Sequence, residues 1–327
     1  SSPSPILNVV DMEIDDGSGW FGHMYMPGYS GLGTPQFEDT VLFNNVTVNY
    51  AWDQIFYFEI STAFTEKRTL ISDVQFTDCY FSNIGSRIVY YYLYPGEGTD
   101  PTMKTVDVMD TFTFDNSTIT ESTYRYGYIS IGSGGNNMPN DYWDHMVTLA
   151  DNEFIDTYGR LFEAWAHWDF VKGNDEFNLV NNNFDNCTDG SGNTNPFYLD
   201  GFDTIRFSGN TFTDMDYAYT GDIYDYGGSN SGAKPADWLF MDNTWDNCTN
   251  RQWSEVIFLE FAGDVRFVNN EVMNQNGLIS IMTWLEYTGT GSLEIIDNEF
   301  HNNMAYFVEY GSCLLYTSPS PRDQRPN

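Results

Sequence analysis

Apolar and polar positions alternate along most of this chain, and the alternation repeatedly ends in an Asn-centred pattern. Residues 177–187 read Phe-Asn-Leu-Val-Asn-Asn-Asn-Phe-Asp-Asn-Cys, with apolar residues two positions apart before the asparagines and a phenylalanine after them. The shared pattern is apolar-x-apolar-x-[Asp/Asn]-Asn-x-apolar-x-[Asp/Asn]. A period of two residues is typical of half-buried strands, so the pattern predicts strands and excludes helices as the main element.

The pattern recurs nine times, and its second polar position serves as a marker for each copy. The nine markers are Asn45, Cys79, Asn116, Asn152, Asn182, Asn210, Asn243, Asn270 and Asn298. Neighbouring markers are 27 to 37 residues apart. A repeat of this length is typical of solenoids and propellers, in which each repeat is one supersecondary unit.

The asparagine turn favours the solenoid. An Asn tolerates left-handed backbone, and identical Asn side chains on stacked strands hydrogen-bond to one another along the stack. On these residues the chain resembles right-handed parallel β-helix proteins of the pectin-lyase-like superfamily, whose coils stack Asn and aromatic residues in register. The resemblance covers about residues 42–311 and concerns architecture. It implies an all-β, single-domain right-handed parallel β-helix of about nine to ten coils, with the nine markers as a structural asparagine ladder.

The repeat suggests three segments. Residues 1–40 depart from the pattern and are expected to form a degenerate first coil or an N-terminal cap, since a solenoid end has to be covered. Residues 41–312 carry the repeats and are assigned to the β-helix. Residues 313–327 begin with a stretch, Cys313 to Asp323, that looks like a translated sequencing adaptor. We expect that tail to be disordered and to contribute nothing to stability.

Charge limits the possible partners. The formal net charge is −34, with 13 Lys and Arg against 47 Asp and Glu. So acidic a chain argues against nucleic acid as a partner and against an anionic membrane face. No apolar run approaches 18 residues, so the sequence contains no candidate membrane segment.

The cysteines are expected to be buried free thiols. Cys79 lies at a marker position, whereas Cys187 and Cys248 share one position of the repeat with Met215 on the coil between them. Strands in a sheet are about 4.8 Å apart, so a gap of two coils is about 9.6 Å. That distance exceeds the Cα reach of a disulfide, and cysteine usage therefore leaves the cellular compartment open.

A second strand in most repeats carries an acidic residue after an apolar pair. These acids are Glu163, Asp200, Asp225, Glu260, Glu286 and Glu309. Because side chains alternate across a strand, we expect the acids to point outward and to form a line of carboxylates about 4.8 Å apart. Such a line is either a solvated face or a site for Ca²⁺ or for a polar polymer such as a glycan. No other metal or cofactor is expected.

Established catalytic motifs are missing. The sequence has no phosphate-binding Gly loop with Lys, no Gly-x-Ser-x-Gly and no His-Glu-x-x-His. The preferred hypothesis is a non-catalytic extracellular or cell-surface module that binds a glycan, a cation or a protein along an acidic and aromatic flank. The family resemblance implies one alternative, a polysaccharide-cleaving enzyme with paired carboxylates. A purely structural stalk of a larger surface protein is the other.

Overall fold

We describe a computed structural model of the 327-residue chain. The structure describes residues 6–15, 17, 22–26, 36–61, 68–94, 106–123, 127–133, 142–165, 176–188, 196–200, 202, 204–217, 223–224, 236–250, 255–261, 263–275, 278–283, 292–303 and 307–310. All regular structure in these residues is strand. No helix that could cross a membrane is found in this part of the chain.

The first fifteen strands of the described residues lie between residues 6 and 185. They are β1 (Ile6–Ile14), β2 (Gly22–Met26), β3 (Gln36–Val48), β4 (Phe56–Ser61), β5 (Arg68–Thr77), β6 (Tyr80–Ser82), β7 (Val89–Tyr94), β8 (Val106–Asp115), β9 (Thr118–Thr120), β10 (Ile129–Ser133), β11 (Tyr142–Ala150), β12 (Glu153–Ile155), β13 (Phe162–Trp165), β14 (Glu176–Val180) and β15 (Asn183–Asp185).

Fifteen more lie between residues 197 and 310. They are β16 (Phe197–Asp200), β17 (Thr204–Ser208), β18 (Thr211–Thr213), β19 (Asp216–Tyr217), β20 (Ile223–Tyr224), β21 (Ala236–Met241), β22 (Thr244–Asp246), β23 (Thr249–Asn250), β24 (Glu255–Phe261), β25 (Gly263–Val268), β26 (Glu271–Met273), β27 (Leu278–Thr283), β28 (Leu293–Ile296), β29 (Glu299–His301) and β30 (Phe307–Tyr310).

Successive coils stack their strands in parallel on three faces. The first face consists of β1, β3, β5, β8, β11, β14, β17, β21, β25 and β28. The second face consists of the short strands β6, β9, β12, β15, β18, β22, β26 and β29, and β3 joins it to the first. The third face consists of β2, β4, β7, β10, β13 and β16, while β20, β24, β27 and β30 form a separate four-stranded sheet. The expectation of an all-β, parallel, solenoid-like fold is therefore confirmed.

Two consecutive residues make the bend between the first and second faces. The first has left-handed backbone, as in Asn181 with φ of 54°, and it is exposed. The second, Asn182, points inward and is 1% exposed. Asp and Asn tolerate the left-handed conformation better than most other non-glycine residues, which explains why the repeat carries Asp or Asn before the buried asparagine.

The buried asparagines form a continuous hydrogen-bonded column. Its members are Asn152, Asn182, Asn210, Asn243, Asn270 and Asn298. The main-chain N–H of each donates to Oδ1 of the next at 2.8–3.0 Å. The Nδ2 group of each donates to the same Oδ1 at 2.9–3.0 Å. Every carboxamide thus links its own bend to the neighbouring coils, as expected for an asparagine ladder.

Two predicted ladder members lie one residue away from the column. Asn45 and Asn116 have left-handed backbone, with φ of 54° and 46°, and belong to the exposed turn position. Val46 and Ser117 take the buried positions instead. Cys79 does lie in the column, and its N–H donates to Oγ of Ser117 at 2.9 Å. The prediction was wrong for Asn45 and Asn116 because Val and Ser replace the second Asn there, which left the turn Asn as the only visible marker.

Aromatic side chains stack in a second internal column, two residues after the ladder. Phe154, Phe184, Phe212 and Trp245 follow one another with ring centroids 4.8–5.1 Å apart and interplanar angles of 19° or less. All four side chains are at most 2% exposed. Offset-stacked rings stabilise beyond the apolar area they bury. The ladder and this aromatic column together fix the register of the coils.

The N-terminal segment contributes strands of the same kind. In β1, Met12 lies opposite Val46, and Ile14 lies opposite Val48 in parallel register. Strand β2 pairs in parallel with β4. The tail, residues 313–327, lies outside the described residues.

Candidate functional site

The outward side of the third face carries an in-register row of polar and aromatic residues. Tyr57 pairs with Tyr90, Tyr90 with Ser130, Ser130 with Glu163, and Glu163 with Tyr198. The residues before and after each of them are buried in the core, as strand alternation requires. We call these five residues the tyrosine–glutamate row.

Glu163 lies at the centre of a small ionic cluster. Its Oε1 accepts hydrogen bonds from Oγ of Ser130 at 2.8 Å and from Nη2 of Arg87 at 3.2 Å. Its Oε2 accepts one from Nη1 of Arg160 at 2.9 Å. The Glu163 side chain is 8% exposed, whereas those of Arg87 and Arg160 are 19% and 20% exposed. Two guanidinium groups are thus held in place by one shared carboxylate.

A glycine gives Glu163 the room to lie against the strand. A Cβ atom at Gly127 would be 2.9 Å from Cγ of Glu163 and 3.0 Å from its main-chain nitrogen. Real Cβ atoms essentially never come within 3.0 Å of another heavy atom, so a larger residue at position 127 would displace the Glu163 side chain. The close approach therefore requires glycine here.

The guanidinium groups also lie over tyrosine rings of the row. Cζ of Arg87 is 4.7 Å from the centroid of the Tyr90 ring, and Cζ of Arg160 is 5.0 Å from that of Tyr198. Tyr57 stacks on Tyr90 with centroids 5.3 Å apart. These distances are in the range of cation–π and stacking interactions. The row thus combines half-buried aromatic rings with two fixed guanidinium groups on a rigid sheet.

The predicted line of six acids does not form in the described residues. Glu163 pairs with Tyr198, while Asp200 pairs with Trp165, two positions further along the strand. Glu260 pairs with Tyr224 and Met282, and Glu309 pairs with Ile281. Asp225 and Glu286 lie outside the described residues. This prediction was wrong because the second strands were aligned by their acids, whereas the hydrogen-bonded register aligns other positions.

Burial makes the described cysteines unreactive. Cys79, Cys187 and Cys248 are free and buried, as predicted. Burial raises the pKa of Cys187 and of Cys248 to about 12, from an ordinary value of 9.0. The pKa of Cys79 is also raised, mainly by burial. A nucleophilic cysteine requires the opposite shift, because the thiolate is the reactive form. These three side chains are therefore packing residues of the core.

One group of side chains in the described residues could hold a metal ion. Glu271 and Glu299 are paired across adjacent short strands, and His301 lies two residues beyond Glu299. One ligand atom from each of the three lies within 4.8 Å of the others. Nε2 of His301 is already 3.1 Å from a carboxylate oxygen of Glu299. The sequence pattern does not reveal this group, because its members come from two repeats and only the Glu-x-His spacing is local.

Comparison of the chain with known protein families, with curated proteins and with solved structures finds no match.

Proposed function

We propose that this protein is a non-catalytic β-helix module that binds a glycan chain along the tyrosine–glutamate row. The observation that carries the proposal is the Glu163 cluster, in which two arginines are held in place against tyrosine rings on one outward face. Sugars present apolar C–H faces and many hydroxyl groups. Tyrosine rings provide amphipathic stacking surfaces, and the fixed guanidinium groups provide hydrogen-bond donors.

Rigidity supports the same proposal. Binding sites on strands are held more precisely than sites on loops, and each member of the row lies on a strand. An extended polymer also suits a linear row better than a small molecule does, because the row follows the stacking direction of the coils. We further propose that the module is extracellular or at the cell surface, where glycan chains are accessible.

The catalytic alternative has less support. Glycoside hydrolysis by paired carboxylates needs two acids flanking the scissile bond. Both oxygens of Glu163 are engaged by arginine and serine. Among the described acids, Glu163 and Asp200 lie two positions out of register, and Glu260 and Glu309 lie one position out of register. A cation-binding flank and a structural stalk remain alternatives that the binding experiment separates.

We also propose that the coils are right-handed and that the fold is of the pectin-lyase-like type. Parallel strands joined by crossovers are right-handed in almost all proteins. The buried asparagine column and the stacked aromatic column are further points of resemblance.

Affinity electrophoresis tests the binding proposal. Native gels would contain either a neutral glucan or polygalacturonate, and the migration of the protein would be compared with that in a plain gel. We expect retardation in at least one gel, and at least tenfold weaker binding for the double variant Tyr57→Ala, Tyr198→Ala. The matched control is Tyr80→Ala, which removes a 40% exposed tyrosine from the second face.

The same experiment separates the alternatives. If no soluble glycan retards the wild-type protein, the proposal is wrong and the stalk is favoured. Newly formed reducing ends in the glycan after incubation would instead identify an enzyme. Equal loss of binding in Tyr80→Ala would show that the third face is not the binding face.

A further inference from the structure

Four Asn-x-Thr triplets occur in the sequence, and none of them has proline in the middle position. Their asparagines are Asn45, Asn116, Asn186 and Asn247. Asn-x-Ser/Thr is the motif at which oligosaccharides are attached to asparagine in secreted proteins. So short a motif also arises by chance. The position of each asparagine in the fold therefore decides whether it can carry a glycan.

All four asparagines occupy an exposed turn position. Their backbone is left-handed, with φ between 46° and 54°, and each residue is exposed. Asn45 and Asn116 lie at the bend between the first and second faces, whereas Asn186 and Asn247 directly follow the second-face strands β15 and β22. The residue after each asparagine is buried. The motif thus occurs at the two borders of the second face, on side chains that face solvent.

The buried ladder asparagines are not part of the motif, and their geometry leaves no place for a glycan. Two residues after Asn182 comes Phe184, which is buried in the aromatic column. Nδ2 of Asn182 already donates to the main-chain oxygen of Leu149 and to Oδ1 of Asn210. A sugar on this nitrogen would remove a buried hydrogen bond. The fold therefore separates asparagines that can carry a glycan from those that hold the coils together.

Each exposed asparagine keeps its turn contact when a sugar is attached. Nδ2 of an asparagine carries two hydrogen atoms. In all four turns Nδ2 donates a hydrogen bond to the aspartate of the preceding coil, in the pairs Asn45 with Asp11, Asn116 with Asp78, Asn186 with Asp156, and Asn247 with Asp214. A glycosylated Nδ2 retains one hydrogen. The sugar and the bond to the aspartate are therefore compatible.

The alternation of Asp and Asn at the turns also spaces the four asparagines. At each bend the two asparagines of the motif lie two coils apart, and an aspartate occupies the coil between them. These aspartates are Asp78 and Asp214. Strands in a sheet are about 4.8 Å apart, so two coils are about 9.6 Å apart. Bulky glycans at one bend are thus never on adjacent coils.

We propose that Asn45, Asn116, Asn186 and Asn247 are N-glycosylation sites whose glycosylated Nδ2 still donates to the neighbouring aspartate. The inference rests on the proposed extracellular location, because the transfer takes place in the secretory pathway. The donor is a lipid-linked oligosaccharide diphosphate. The bond between its anomeric carbon and the phosphate oxygen breaks, and a bond from that carbon to Nδ2 forms. The lipid diphosphate leaves, and one Nδ2 proton passes to a base of the transferase.

Secretion from eukaryotic cells tests the attachment. The full 327-residue chain would carry an added secretion signal, and protein retained in the secretory compartments would be analysed together with exported protein. A peptide N-glycosidase in heavy-oxygen water converts each glycan-bearing asparagine to a labelled aspartate, which peptide mass spectrometry locates. We expect label at all four asparagines, above that of a sample without the glycosidase. Absence of label at one site overturns its assignment, and absence at all four overturns the proposal.

Threonine variants separate glycan transfer from other reactions of asparagine. Thr47→Ala should remove the label from Asn45 and leave the other three sites labelled. Thr47→Ser is the matched control, because it keeps a hydroxyl group and should retain the label. Both variants keep Asn45 itself. Label at Asn45 that persists in Thr47→Ala would overturn the assignment of this site.

The attachment test is independent of the glycan-binding test. Gel retardation can be measured on protein from the bacterial cytosol, where this transfer does not occur, so a negative result there concerns the third face alone. Absence of label concerns the borders of the second face alone. The two failures are therefore distinguishable.

Two glycosidases test whether the glycans fit the folded turns. An endo-β-N-acetylglucosaminidase leaves the first sugar on Nδ2, so the remaining hydrogen can still donate to the aspartate. The peptide N-glycosidase instead leaves a carboxylate beside that aspartate, and like charges repel. We expect the first treatment to leave the melting temperature unchanged and the second to lower it by about 2 °C or more. Equal melting temperatures after the two treatments would overturn the proposed contact between the glycosylated Nδ2 and the aspartate.

Discussion

Neighbouring asparagines in one repeat have different physical roles. Asn181 supplies left-handed backbone at an exposed turn. Asn182 is buried and donates through Nδ2 to Oδ1 of Asn210 and to the main-chain oxygen of Leu149, at 3.0 and 2.8 Å. A buried carboxamide is tolerated only when its donors and acceptor are satisfied. The stack satisfies them by repeating the same residue at the same place.

Replacing Asn210 by Leu should destabilise the protein by roughly 1–3 kcal/mol, because buried polar groups lose their partners. The main-chain N–H of Asn182 loses its acceptor, and the main-chain oxygen of Leu179 loses the donor that Asn210 provides. Urea denaturation followed by circular dichroism measures the free energy of unfolding. Asn183→Leu is the matched control, since Asn183 lies on the outward side of its short strand. A loss no larger for Asn210→Leu than for this control would contradict a stabilising ladder.

The buried thiols predict a specific pH dependence. The pKa of Cys248 is about 12 in the folded protein, against an ordinary value of 9.0, so the unfolded state loses its thiol proton first as the pH rises. Stability contributed by this thiol is complete below pH 9 and is lost progressively as the pH rises from about 9 to about 12. Cys187 behaves in the same way.

Cys248→Ser should therefore reduce the stability at about pH 8, and its deficit relative to wild type should shrink by roughly 1 kcal/mol at about pH 10. Urea titrations under reducing conditions at the two pH values measure this difference, in which the titrations of other residues cancel. Met215→Leu is the matched control, because Met215 occupies the same buried position of the repeat and neither Met nor Leu titrates. Its deficit should be the same at both pH values. If the stability deficit of Cys248→Ser is also the same at both pH values, the raised pKa of Cys248 is contradicted.

The residue scale also shows where sequence reasoning succeeds. The ladder residues from Asn152 to Asn298 were predicted correctly because each Asn directly follows a turn residue, which is Asp, Asn or, at Gly209, glycine. Asn45 and Asn116 were misplaced by one residue, since Val46 and Ser117 occupy the buried position there. A side chain such as that of Ser117 can fulfil the ladder's hydrogen bonding without resembling the motif, and pattern matching alone does not detect such a replacement.

At the scale of strands, the third face depends on one ionic cluster. Glu163→Ala should cost about 2–3 kcal/mol, because hydrogen bonds to charged groups are lost and Arg87 and Arg160 are left close together. Glu176→Ala is the control: its carboxylate pairs with Arg206 at 2.9 Å, but the two side chains are 31% and 51% exposed. For such an exposed pair we expect the substitution to lower the free energy of unfolding by less than about 1 kcal/mol. If urea denaturation shows similar losses of unfolding free energy for Glu163→Ala and Glu176→Ala, the Glu163 cluster has no special role in stability.

Strand register was harder to predict than strand position. The third-face strands were located correctly from their apolar residues, yet Glu163 and Asp200 proved to be two positions out of register. The ladder fixes the register at the first bend, whereas the third face follows connections that differ in length from coil to coil. A shift of two residues preserves the inward and outward alternation, so the hydrophobic pattern cannot reveal it.

At the scale of the whole molecule, the excess of acidic residues produces general repulsion. The formal net charge is −34, and self-repulsion of this size destabilises a compact state. Asp–Asn pairs at the turns reduce this repulsion locally. Nδ2 of Asn116 donates to Asp78, and Nδ2 of Asn269 donates to Asp242. Salt should therefore stabilise the protein mainly by screening.

Calcium chloride and sodium chloride at matched ionic strength should consequently raise the melting temperature by similar amounts. The register separates Glu163 from Asp200 and Glu260 from Glu309, so these described acids do not form the expected calcium-binding line. Differential scanning fluorimetry in the two salts measures the effect. An additional calcium effect abolished by Glu260→Gln with Glu286→Gln would contradict the described register. An additional effect abolished by Glu299→Gln would instead place an ion at Glu271, Glu299 and His301.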